Sequence, residues 1–166
     1  MATDNASANA EAIRRIVSAL RGEGAHLQFA DAVNGFPGSL MNTAPEHVPY
    51  TFWHQLEHIR ICQWDILQYI RDPKHVSPEW PGEYWPAWSV TADRITWDET
   101  ISQYYSDLEE FVHLIERDDI HLLEPVAHNN GRSIFGSALI VVDHTAYHLG
   151  EFVMGRQMLG AWKSEL

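Results

Sequence analysis

Apolar residues recur along the chain at helical spacing, and no long segment shows the strict alternation of a half-buried strand. Ile13, Ile16, Val17 and Leu20 predict a first helix beyond a frayed N-terminus, with Gly22 and Gly24 interrupting it. The pattern resumes from Ala25 to Phe36 through Leu27, Ala30 and Val33, and stops at Pro37-Gly38. Three prolines make residues 37–50 a loop. Phe52, Leu56, Ile59, Ile66 and Ile70 then share the face of a second helix, with Thr51 as its cap and Asp72-Pro73 as its end. Residues 73–95 carry four prolines and the aromatics Trp80, Tyr84, Trp85 and Trp88. A loop of this length in a small domain is usually functional or packed as a lid, and Trp85 and Trp88 could roof a pocket.

A capping box, Thr96-Trp97-Asp98-Glu99, opens the third helix, whose one side holds Ile101, Tyr105, Leu108, Val112 and Ile115. Beyond it lie Pro125 and an Asn129-Asn130-Gly131 turn. Ser133 caps a fourth helix to about Gly160, supported by Phe135, Leu139, Val142, Leu149 and Val153. The chain is thus all-α, and the simplest packing is an up-and-down type four-helix bundle with a long aromatic loop between its second and third bundle helices. With 166 residues and no dividing linker, residues 1–166 form a single domain in this reading.

Composition narrows the function classes. Eleven Lys and Arg against 23 Asp and Glu give a net charge of −12, which argues against nucleic-acid binding and against docking on anionic lipid. Apolar runs stop well short of the ~20 residues a membrane span needs, and the N-terminus has no secretory pattern. One cysteine, Cys62, rules out an internal disulfide and fits a cytoplasmic location.

Ten histidines are the unusual feature. His54 and His58 lie four apart on the second helix, and His144 and His148 four apart on the fourth. Residues so spaced sit one above the other on a helix face, where their imidazoles can converge on one cation. His144 and His148 interrupt an apolar helix, where unpaired polar groups are costly to bury. A third ligand from another helix would leave an open position, the mark of a catalytic site. His58, deeper along the core face, is favoured over His54 by position. Cys62, four residues beyond His58, reads as a small buried hydrophobe before it reads as a thiolate ligand. Glu151 or Asp143 could fix an imidazole tautomer, and the alternative is that both are surface acids. His26, His47, His75, His113, His121 and His128 read as surface or loop, with His26 a candidate pocket-lining residue. The sequence shows no phosphate loop, cysteine pair, serine elbow or H-E-x-x-H motif.

Leu56-Glu57-His58-Ile59, the stretch Asp143-His144-Thr145-Ala146-Tyr147-His148-Leu149-Gly150, and Arg156 through Leu159-Gly160-Ala161-Trp162 together resemble the DinB-like family. So does the aromatic stretch Trp80 to Pro86. The resemblance covers about residues 45–162 and is more specific for fold than for reaction. It implies a four-helix bundle, commonly a homodimer, with a divalent metal held at His58, His144 and His148. Some relatives are metal-dependent transferases or isomerases that activate a low-molecular-weight thiol. The family name refers to induction by DNA damage, a stress response, yet the charge argues against DNA contact. Two functions follow as expectations. One is an enzyme with Zn or Ni, a thiol transferase rather than a hydrolase, with catalytic residues unassigned. The other is a non-catalytic metal-braced bundle serving dimerisation, sensing or partner binding.

Overall fold

The computed structural model describes residues 2–126 and 131–162. Five α-helices carry the fold: α1 (Ala2–Leu20), α2 (Phe29–Val33), α3 (Phe52–Arg71), α4 (Arg94–Ile115) and α5 (Ile134–Met158). Single 3₁₀ turns at Gly38–Leu40 and Gly82–Tyr84 tighten the two long connections. The described chain is an all-helical bundle, as the hydrophobic spacing predicts.

Caps set the helix starts. Thr51 and Ser133 each turn a hydroxyl onto the amide three residues on, His54 and Gly136, so α3 and α5 begin where the sequence places them. The start of α4 differs. Asp93, not Thr96, is its cap, accepting from the Thr96 amide at 2.8 Å and the Thr96 hydroxyl at 2.9 Å. A carboxylate in the cap position outcompetes the threonine-to-glutamate box three residues later. The first helix starts at Ala2 rather than after a frayed segment, and only Phe29–Val33 of the stretch 25–36 is helical. Of the 129–131 turn, Asn129 and Asn130 lie outside the described residues, as does His128. Gly131 has φ +85°, and Pro125 and Ser133 form an isolated antiparallel bridge.

α3 packs against α4 and α5, and α1 against α5 and α4, so the ring of principal neighbours runs α1–α4–α3–α5. Connections 21–51 and 116–133 therefore link helices across the diagonal, unlike the simplest chain-order ring. Trp97, Phe111, Phe152 and Leu56 fill the centre. Phe36 stacks on Trp97 with ring centroids 4.7 Å apart. Arg156 is buried, donates to the carbonyls of Ala32, Asn34 and Ala161, and lies over the Phe36 and Trp162 rings. It ties α2 and the chain beyond α5 to the end of the bundle.

The α3–α5 contact positions the site. A Cβ at Gly155 would lie 3.0 Å from the Phe52 ring and 3.2 Å from Pro45, so any larger residue would push these neighbours back by a few tenths of an ångström. One turn earlier, Gln55 Nε2 donates to the His148 carbonyl at 3.1 Å and to Glu151 Oε2 at 3.0 Å, fixing the register between the helices.

Candidate metal centre

α3 supplies His58, and successive turns of α5 supply His144 and His148. The structure brings these three together: each offers a ring nitrogen, and the three atoms all lie within 4.8 Å of one another. His58 and His144 approach Nε2 to Nε2 at 3.1 Å. Two nitrogens ligating one cation at ~2.0–2.1 Å stand about 3.0–3.4 Å apart, so this spacing suits a shared ion.

Hydrogen bonds at the outer nitrogens prepare the inner ones. The Tyr84 carbonyl can only accept, so His58 Nδ1 at 2.8 Å must carry the proton. The Glu151 carboxylate does the same for His148 Nδ1 at 2.8 Å. In a neutral imidazole the other nitrogen then presents a lone pair. Burial pushes the His58 imidazole down to about 4 and His144 down to about 3, with neighbouring His148 adding to both shifts; burial also lowers His148, against the pull of Glu151. Three neutral, desolvated imidazoles turned toward one point fit a borderline divalent cation. Among the described residues no fourth histidine, cysteine or acid joins the group.

His54 does not belong to it. Its Nε2–H donates to the Ala87 carbonyl at 3.3 Å, and its Nδ1 takes the Thr51 hydroxyl at 2.6 Å. Both nitrogens are spent joining the α3 cap to the aromatic loop. Cys62 lies beside the His58 ring, 3.6 Å from Nδ1, and burial pushes its thiol up to about 12, which keeps it protonated. Glu57 of the His58 motif faces away, bonded to Arg60 and Thr100. Of the two candidate acids, Glu151 touches a histidine while Asp143 is exposed. His26 is exposed and lines a cavity of about 90 Å³ that contains none of the three histidines. His75, expected at the surface, is only 11% exposed because it is paired with Asp65.

The aromatic loop covers the site. Trp85 lies flat on the His58 ring, with centroids 3.8 Å apart and planes at 4°, and Tyr50 stacks on the same indole at 4.8 Å. Trp88 is largely exposed and 6.3 Å from Trp85. Tyr50 also donates to Glu151 Oε2 at 3.1 Å, so burial and that carboxylate push its phenol up to about 12. Sequence reasoning missed Tyr84, Gln55 and Tyr50, which act through contacts that leave no periodic signal.

These features define a helical bundle with three histidines of α3 and α5 gathered under an aromatic loop. The family model of the DinB superfamily matches residues 23–152, and the chain belongs to that superfamily. No curated protein and no solved structure matches it.

Proposed function

We propose that His58, His144 and His148 hold one divalent metal ion, zinc or nickel, in a single domain spanning residues 1–166, and that the centre serves thiol transfer to a small electrophile in the cytoplasm. The carrying observation is the paired orientation of His58 and His148. Each gives its Nδ1 proton to a fixed acceptor and keeps Nε2 for the centre. When bound, such an ion is a Lewis acid that lowers the pKa of a thiol or water at a free position. The chain's own residues orient the ligands through Tyr84 and Glu151, and Trp85 restricts entry of bulk water. Elemental analysis of protein purified without an affinity tag or added metal should find about one divalent ion per chain. With metal present, transfer from a panel of low-molecular-weight thiols to a chromogenic chloronitroarene should be chelator-sensitive. A bound ion with no transfer would favour the non-catalytic, metal-braced bundle, for which the Trp85 cover is the supporting observation.

We also propose a homodimer formed along α5. Its outer face exposes Ile140, Tyr147 and Met154 at seven-residue spacing, with Leu139 and Met158 alongside. A helix apolar on both faces has a second surface to cover. Sedimentation equilibrium should give twice 19.0 kDa for the wild type and 19.0 kDa for a folded Ile140→Glu, Met154→Glu protein. Wild-type protein sedimenting as a monomer would refute this arrangement.

A further inference from the structure

Asp65 follows His58 by seven residues on α3, two turns further along the same face. Its carboxylate is buried and engaged at both oxygens. Oδ1 stands 2.7 Å from His75 Nε2, and Oδ2 accepts the Tyr84 hydroxyl at 2.7 Å. Both partners come from the connection between α3 and α4, nine residues apart. The same Tyr84 offers its carbonyl to His58 Nδ1, and Trp85, next in the chain, covers the His58 ring. One rigid helix thus holds the aromatic loop at Asp65 and His58 as well as at His54, and Tyr84 bridges the first two.

A desolvated carboxylate is costly to bury unless its oxygens are bonded, so its use here needs a reason beyond packing. Its two partners, His75 and Tyr84, lie in the loop whose Tyr84 carbonyl faces His58 Nδ1. Without Asp65 the loop would still have Trp85 stacked on His58 and Ala87 bonded to His54, but the Tyr84 hydroxyl would lose its hydrogen bond to α3.

We propose that Asp65 is a positioning residue for the histidine centre: by holding His75 and Tyr84 it places the carbonyl that decides which nitrogen of His58 carries the proton and which faces His144 and His148. Only the affinity arm of the test rests on the metal reading above. Nitrogen-15 NMR of metal-free wild-type protein should show His58 as the Nδ1–H tautomer. Tyr84→Phe removes one oxygen and leaves the carbonyl in the chain, while Asp65→Leu removes both anchors. Both should give a tautomer mixture at His58 and weaken zinc binding by as much as 10- to 100-fold, the range seen when an outer partner of a ligating histidine is lost outright. Asp65→Asn, whose amide oxygen can still accept the Tyr84 hydroxyl, should restore both readouts toward wild type. Glu83→Gln alters an exposed carboxylate in the same loop and should leave both unchanged.

A folded Tyr84→Phe protein that keeps His58 wholly in the Nδ1–H form would overturn the proposal, whatever its metal content. If the wild type binds no zinc, the metal reading fails, and the tautomer comparison still decides the role of Asp65. If Asp65→Leu does not fold, Tyr84→Phe decides it alone.

Discussion

His144→Ala should abolish stoichiometric metal binding, taking protein purified without added metal from about one divalent ion per chain to near none. His144 is the partner that His58 meets across the α3–α5 contact, Nε2 to Nε2 at 3.1 Å, so its loss removes a direct donor and opens the centre. Losing an outer partner of a ligating histidine costs 10- to 100-fold in affinity. Losing the ligand itself should cost more, at least ~10³-fold or about 4 kcal/mol. The fold should survive, because His144 is only part-buried and the neighbouring core at Val141, Thr145 and Leu149 is untouched. Circular dichroism alongside elemental analysis separates lost ligation from lost structure. Cys62→Ala is the companion measurement. A protonated thiol beside His58 contributes packing, so the alanine protein should keep its ion. Retention of one ion by folded His144→Ala would refute the three-histidine centre, and loss of metal from Cys62→Ala would make the thiol a ligand.

Much of this centre was legible from spacing. Two histidines four apart on an apolar helix must share a face, and His58 is the α3 histidine that reaches them. The choice between His54 and His58 was less legible, because it turns on Thr51 and Ala87 consuming both His54 nitrogens. Glu151 stands three residues after His148, on its face, whereas Asp143 precedes His144 by one and points elsewhere; helical geometry alone favours the former. Tyr84, Asp65 and His75 left no comparable trace. Their roles depend on how a proline-rich connection folds back on α3, and no periodicity encodes that path. Helix existence followed from hydrophobic spacing. The α4 start did not, since two plausible capping residues lie three apart. Nor did the ring order of the helices, which depends on connections that cross the diagonals.

Metal-free protein should lose stability as the pH falls from 6.5 toward 4.5, before most carboxylates titrate. An imidazole in the unfolded chain takes up a proton near pH 6.5, whereas burial holds folded His58 down to about 4 and His144 to about 3. Through that window the unfolded state binds protons that the native state refuses, so unfolding gains free energy with every step down in pH. The limit is about 1.4 kcal/mol per pH unit for each histidine. Solvent reaches part of the site and screens it, so a combined loss of ~3 kcal/mol over the two units is expected. Above about pH 7.5 both states hold these rings neutral, and their contribution is level. Urea midpoints at pH 7.5, 6 and 5 after dialysis against chelator would measure the slope. His144→Ala should reduce it, because one of the protons refused by the native state is gone. A stability that stays flat or rises from pH 6.5 to 5 would mean that the histidines charge freely in the native protein, a condition incompatible with a desolvated cluster built to present lone pairs. Adding zinc should then raise stability at pH 7.5 by an amount that grows with free ion concentration, since only the folded chain brings the three imidazoles together.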